Sequence, residues 1–512
     1  MRVSPALHSV TSWQPQYVSG YTEIHYLRPW LPWHPLFRRL PEVVFDTPWR
    51  VPQGSTHFPL LLTVKDAHLY PVRLTGIKVD FAGPPASCYQ LPGEYDCDTP
   101  WYHNIFQVPL PAGQHFIRCR VTFRLQSRMQ TNSFINDNYP GRYRPFTIDV
   151  QRDASPQLPD CFTGELHYHS AASNDQVEFG APLELLQTAM RALELDFAAV
   201  TDHSYDLVDR DEWTELRREL SELNRSDPAH LLLPAEEVSV RSTGGSNIHL
   251  LVLNDPRLLP GSGDSGRNLH RRSELSLDQV LAELHPEALA IAAHPASQPG
   301  WLERLLLRRS SWKREDYRKI RLLQAANGAG KRELSSALHH WIEQLQQGHA
   351  VYIVAGNDAH GDFNHSRRMG IPFVTVARSA RYRAGWWRTG LFSERLEIVD
   401  LLESLARGRS FITEGPLLAL EQKGIMMPAR LDPAAPLSLH MVSNHDFGPI
   451  RDIRTHWGTI AGEESGCLVL DSQSQQEISL AIPAGTNWRY LRISGRTQFG
   501  HRFYSNPLFL SK

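Results

Sequence analysis

The chain has 512 residues, 41% of them hydrophobic and 21% charged, and a formal net charge of −2. That length exceeds one ordinary domain and predicts about three. The balanced charge excludes bulk attraction to nucleic acid or to an anionic membrane surface. No apolar run reaches the roughly 18 residues of a membrane-spanning helix, so no membrane partner is expected.

Residues 1–155 read as a β-rich domain. The clearest strand covers 117–125, where Ile117, Cys119, Val121, Phe123 and Leu125 alternate with Arg118, Arg120, Thr122 and Arg124. A period of two means one buried and one wet face. Further strands are predicted at 60–64, 72–81 and 146–150, punctuated by Pro84-Pro85, Pro92-Gly93 and Pro140-Gly141. Strands in series without helices point to a sandwich. The Trp- and Pro-rich first 50 residues receive no assignment. Met1 to Gln14 lacks the apolar core of a signal peptide. The five cysteines, Cys88, Cys97, Cys119, Cys161 and Cys467, are odd in number and scattered. They imply free thiols rather than a disulfide framework, and a cytoplasmic location is expected.

A polar linker, Asp153-Ala154-Ser155-Pro156-Gln157, precedes a change of pattern. Over 160–415, strands of buried type alternate with amphipathic helices. Strands are predicted at 162–167, 197–201, 231–237, 247–253, 288–293, 320–326 and 351–357. Helices are predicted near 182–194, 211–224, 277–285, 301–308 and 331–347. Pro182 suits a first helical turn. This alternation predicts a parallel β/α architecture. The connection from 237 to 247 is too short for a helix, so one crossover is missing there or the strands turn back. Residues 256–276 read as a long surface loop. The tail, 416–512, returns to β: Ile478, Leu480 and Ile482 alternate with polar neighbours, as do Leu491 and Ile493.

Nine potential metal ligands lie on or just after the apolar runs of the middle segment. They are His167, His169, Asp175, His203, Glu237, His249, His294, Asp358 and His360. Any one of these pieces alone is unremarkable. Their order is not, because each follows a strand-like run such as Phe197-Ala198-Ala199-Val200 or Val351-Tyr352-Ile353-Val354. Ligands at the carboxyl ends of parallel strands converge on one mouth. His167 and His169, two apart, leave the same side of a strand. Six imidazoles and three carboxylates can hold two or three divalent ions. Glu237 and Asp358 are the candidate bridges, and ligation without thiolate suits Zn, Mn or Fe. Such ions make hydroxide available near neutral pH, which predicts hydrolysis by metal-bound hydroxide.

Three further residues are candidates for a catalytic role. Asp202 could orient His203 or move a proton. Arg367 and Arg368 could clamp a phosphate. Gly328-Ala329-Gly330-Lys331 imitates a phosphate loop, but Ala325 and Arg332 break the required pattern.

The series His167-x-His169, Thr201-Asp202-His203, Glu237, His249, His294-Pro295 and Asp358-x-His360 resembles the polymerase-and-histidinol-phosphatase (PHP) superfamily. The resemblance implies a distorted seven-stranded β/α barrel, related to the TIM barrel, flanked here by N- and C-terminal β-sandwich-like domains. It implies one ion on His167, His169, Glu237 and Asp358, a second on Glu237, His249 and His294, and a third on Asp175, His203 and His360. Asp175 stands where some members carry His. Glu236-Glu237-Val238-Ser239, Asn327-Gly328, the run from Arg407 to Pro416, and Ser505-Asn506-Pro507-Leu508 are similar to the carbaryl-hydrolase-like metallohydrolases of that superfamily.

The leading expectation is therefore a phosphoesterase acting on a small anionic substrate. A carboxylic ester or carbamate hydrolase with the same site is the alternative. A non-catalytic glycan- or protein-binding protein on the same scaffold is the rival from another class, and the completeness of the ligand set argues against it. No basic stripe for nucleic acid is present.

Overall fold

The computed structural model describes residues 16–19 and 40–510, apart from 84–86, 129, 175–178, 208–209, 266–268, 372–374, 429, 460, 469–474 and 481–487. Asp175 and Ile482 lie outside the described residues.

The N-terminal part pairs two sheets. In one, His57–Lys65 lies between Glu42–Asp46 and Trp101–Pro109; the other is built on Phe116–Gln126 and Val72–Ala82. Along Phe116–Gln126 the odd residues from Ile117 to Leu125 are buried, while their neighbours are exposed or partly so. Those apolar faces meet Phe58, Leu60, Leu62 and Val64 in one core, as the alternation requires.

The middle segment differs from expectation. Its seven strands form one run of a sixteen-stranded sheet, in the order Tyr352–Gly356, Leu322–Asn327, Leu289–Ala292, Asn247–Leu253, Leu231–Arg241, Phe197–His203, Cys161–His169. The expected closed β/α barrel is overturned, and no closed barrel occurs among the described residues. Over residues 161–164 the edge of Cys161–His169 that closure needs is paired antiparallel with Arg388–Phe392, and only Tyr168 and His169 reach the two-residue strand Ala359–His360. The sheet continues through Ser410–Thr413, Arg502–Ser505 and Tyr490–Thr497 to Ile450–Gly458 and Glu463–Leu468. Strands hold 43% of the described residues and helices 16%, so the architecture is mostly β-sheet and sandwich-like rather than α/β. The short 237–247 connection explains part of the difference. Leu231–Arg241 and Asn247–Leu253 turn back on each other antiparallel, and Leu289–Ala292 is antiparallel to the latter.

Helices still cover the central strands where the sequence places them. Leu183–Leu193 buries Leu185, Leu186, Ala189, Met190 and Leu193. It ends at Glu194 in the left-handed region (φ 53°), and Arg388 donates to the last carbonyls, of Leu193 and Glu194. Lys331–Gln346 buries Leu334, Ala337, Trp341 and Leu345 at helical spacing.

The C-terminal strands Leu417–Gln422, Leu437–Val442 and Gln475–Leu480 form a second layer over the end of the large sheet. The ladder Phe411↔Ser505 carries the large sheet across position 415 without interruption. No described helix is long and apolar enough to cross a membrane.

Candidate metal centre

The local backbone explains how the ligands converge. In Cys161–His169 the side chains of His167 and His169 leave one face, while Tyr168 between them packs on the helical side. Ladder neighbours supply the next ligands: His203 lies opposite Glu237, and His169 opposite His360. Gly356 precedes Asp358 by two residues, and a Cβ there would stand 2.6 Å from His167 Cβ. Glycine is thus required for the two ligand strands to approach. Asp358 (φ 53°) and His294 (φ 29°) both adopt positive φ, a backbone cost of order 1–3 kcal/mol each that aims their side chains inward.

Glu237 is the centre of the cluster and is buried to 1% exposure. Its Oε1 lies 2.6 Å from His249 Nδ1 and 3.0 Å from His294 Nε2. Its Oε2 lies 3.1 Å from His203 Nδ1, 3.3 Å from His169 Nε2 and 3.4 Å from His167 Nε2. Asp358 Oδ1 is 3.2 Å from His169 Nε2 and 3.4 Å from His167 Nε2. Three groupings emerge: His167, His169, Glu237 and Asp358; Glu237, His249 and His294; and His169, His203 and His360. The first two coincide with the sets that the PHP resemblance implies. In the third, His203 and His360 are joined by His169 among the described residues.

The cluster fits divalent ions by a direct test. Gln324 Oε1 can only accept, so His167 Nδ1 donates to it at 2.9 Å and the Nε2 lone pair faces the cluster. His169 Nδ1 is likewise engaged by Ser173 Oγ at 3.0 Å. The two Nε2 atoms then face each other at 3.1 Å, which is repulsive unless a cation or proton lies between them. Ligands about 2.05 Å from a tetrahedral ion are about 3.3 Å apart, the spacing found here. Glu237 Oε2, buried among three imidazoles, accepts no hydrogen bond. The buried His, Glu and Asp groups are able to hold metal ions.

The electrostatics agree. Burial disfavours charge on His167, yet the Glu237 and Asp358 carboxylates overcome it and lift its pKa to about 9. Burial and the neighbouring His360 and His203 rings lower that of His169. Glu237, despite burial, is held well below the usual carboxylate range by His249 and His167. Asp358 is held down in the same way, led by His167. Two ionised carboxylates amid crowded imidazoles are a cation receptor. Burial raises the neighbouring Glu236 to about 8. That carboxyl bonds Ser204 Oγ and Leu259 N and points away from the ligands.

Of the orienting groups the sequence pointed to Asp202; Gln324, Ser173, Asp264 and Arg309 carried no legible signal in it. Gln324 also accepts from His294 N, tying two ligands to one amide. Ser173 accepts from His203 N. Asp202 accepts from Ser170 N, Ser170 Oγ and Ser173 N, so it shapes the 170–173 loop that holds His169. Its carboxylate is consumed by that task, and the proton-transfer role is not supported by its contacts. Asp264 Oδ2 lies 2.6 Å from His249 Nε2 and 2.5 Å from Arg309 Nε. Both came from segments read as surface loop and helix end.

The expected phosphate clamp is corrected in part. Arg367 is 1% exposed, and its guanidinium is bound to Asp137, Phe45 O and His365 O, with Asp46 at 3.6 Å. A group so enclosed cannot receive a substrate. Arg368 is half-buried, with its guanidinium 4.4 Å from the centre of the Tyr382 ring.

No family model matches the chain, and no curated protein matches it. Among solved structures, a calcium-binding mutant of Bacteroides uniformis beta-glucuronidase 2 aligns with 92% of this chain and 61% of its own, at 11% identity and a TM-score of 0.18. Dimeric latent PorU from Porphyromonas gingivalis aligns with 92% of this chain and 34% of its own, at 9% identity and a TM-score of 0.14. The chain spans less than two thirds of either protein, and likeness at that level carries no argument about fold or activity.

Proposed function

We propose that the protein is a metal-dependent hydrolase, with a phosphate ester as its first substrate class. The observation that carries the reading is Glu237, whose two oxygens serve two different sets of imidazoles. A carboxylate shared in that way favours two neighbouring cations over one. When bound, two or three divalent ions of the Zn, Mn or Fe type would supply Lewis acidity and water activation at neutral pH. The order of the ligands along the chain, which resembles that of PHP proteins, also supports the reading.

The chain's own residues supply the rest. Glu237 and Asp358 provide the negative charge that retains cations. Gln324 keeps the His167 lone pair turned inward and Ser173 holds the His169 ring at its Nδ1, and such outer contacts typically govern metal affinity by about 10–100-fold. His167, His169, His203 and His249 are at most 3% exposed, whereas the side chains of His294 and Asp358 are 14% and 18% exposed. The exposed edge of the cluster therefore includes His294 and Asp358. Several cations side by side suit a multiply charged ester better than a neutral one, which places phosphate esters ahead of carboxylic esters and carbamates.

A panel of phosphomonoesters, phosphodiesters, carboxylic esters and carbamates, offered to metal-replete protein, tests the proposal. Turnover of a phosphate ester that disappears in Glu237→Gln is the expected result. Turnover confined to esters or carbamates would keep the hydrolase and change the substrate. Metal-replete protein inert across the panel would leave the binding-protein alternative in possession.

A further inference from the structure

Arg309 stands beside the ligand cluster on the side of His249, and its contacts leave part of it uncommitted. Its Nε is fixed to Asp264 Oδ2 at 2.5 Å, its terminal NH2 group lies 3.1 Å from His249 Nε2, and its NH1 group is 3.8 Å from Glu303 Oε1. Tyr205, stacked on His203 at 4.5 Å, lies within its electrostatic field. The Arg309 side chain is 25% exposed, whereas Asp264 beneath it is fully buried.

A proton count on His249 decides what Arg309 can do. The ring faces Glu237 Oε1 through Nδ1 and Asp264 Oδ2 through Nε2, each at 2.6 Å. A neutral imidazole carries one N–H. If the ring joins Glu237 and His294 in holding an ion, its Nδ1 lone pair is taken and the proton must sit on Nε2, donating to Asp264. That nitrogen then cannot accept from Arg309. The 3.1 Å approach becomes a donor facing a donor, and the NH1 and NH2 edge of Arg309 needs another acceptor. Glu303 at 3.8 Å is beyond hydrogen-bond distance, and its Oε2 is already used by Gly300 N.

We propose that Arg309 is the anion receptor of the site, presenting its NH1 and NH2 edge to two non-bridging oxygens of a substrate phosphoryl group. Asp264 is the positioning residue that holds Arg309 and the His249 ring together. A planar guanidinium matches two phosphoryl oxygens at once, and ion-pairing through Nε leaves the outer edge free for that contact. Arg309 thereby takes the place that the sequence offered to Arg367, which is enclosed. The inference rests on the phosphate-ester reading of the same cluster.

The test uses inorganic phosphate as the probe, titrated calorimetrically into metal-replete full-length protein, with metal content measured on each sample. Arg309→Lys and Arg309→Gln should keep the metal content of the wild type and weaken phosphate binding about tenfold or more. With a phosphate ester, KM should rise in Arg309→Lys more than kcat falls. Asp264→Asn should both weaken phosphate and loosen metal retention. The inference is overturned if wild-type protein binds no phosphate, if both Arg309 variants bind it as tightly as wild type, or if both lose metal and so mark Arg309 as scaffold. Arg309-dependent phosphate binding without turnover of any phosphate ester would sink the hydrolase reading and leave the anion receptor standing. Turnover with phosphate affinity indifferent to Arg309 would do the reverse.

Discussion

Two buried charged clusters, one around Asp137 and one around Glu237, differ in one respect. Around Asp137, the buried carboxylate has its complement. Arg367 and Arg378 both donate to the Asp137 carboxylate, and their remaining donors reach the carbonyls of Phe45, His365, Tyr139 and Arg142. Burial tends to raise Asp137, yet the two guanidinium groups hold it below the usual carboxylate range. Around Glu237, lone pairs converge on one another, with nitrogen facing nitrogen at 3.1 Å and a carboxylate oxygen that accepts no hydrogen bond. Burial and charge are common to both. A paired cluster is glue between the N-terminal sheet and the central segment, whereas a cluster rich in unshared acceptors asks for cations.

Substitution at the two centres should separate these roles. Glu237→Gln is expected to lower metal content to less than half that of wild type and to reduce hydrolysis by at least about 100-fold, with the circular dichroism spectrum unchanged. Elemental analysis and a rate assay on one preparation check both halves. Wild-type metal content with full activity would remove Glu237 from the centre.

Asp137→Ala should do the opposite. Two buried guanidinium groups lose their carboxylate, a change that costs about 3–5 kcal/mol of folding stability. Metal content per folded chain should stay as in the wild type. Urea unfolding gives the first number and elemental analysis the second. A stable variant would show that the Asp137 cluster contributes little to holding the N-terminal sheet in place.

The C-terminal end of the large sheet offers a buried ring of another kind, on Ile450–Gly458. His456 lies between Ser465 Oγ at 2.7 Å and Ser494 Oγ at 2.8 Å. Burial, aided by Arg492, lowers its pKa to about 4, with Glu463 opposing. The folded chain therefore binds fewer protons than the unfolded chain between the ordinary value of about 6.5 and 4. Its stabilising contribution is present above pH 6.5 and is lost as pH falls toward 4, on the order of 3 kcal/mol in total. Unfolding curves of wild type and His456→Gln across that range should converge at the acid end. Parallel curves would mean that the ring titrates normally.

The smallest effect belongs to the groups that orient the ligands. Ser173→Ala frees the His169 ring from its Nδ1 partner and should weaken metal retention by about 10-fold, without loss of fold. A chelator titration followed by metal analysis reads the shift. Retention equal to wild type would mean that the strand alone aims His169.

The sequence by itself determined which side chains form the candidate centre and roughly which segments carry them. Eight of the nine expected ligands lie within the described residues, and all eight fall into the three groupings. The predicted strands and helices of 160–415 overlap observed ones, from Cys161–His169 to Tyr352–Gly356. These were legible because residue type, strand-end position and hydrophobic period are local properties. The tertiary structure alone decided how the strands are joined. Arg388–Phe392 takes an edge of Cys161–His169, and the sheet opens into the C-terminal strands. It alone enclosed Arg367 and brought Asp264 and Arg309 to His249. Pairing partners and contacts between residues 15 to 230 positions apart depend on which edges and faces remain unoccupied after folding, and no local period encodes that.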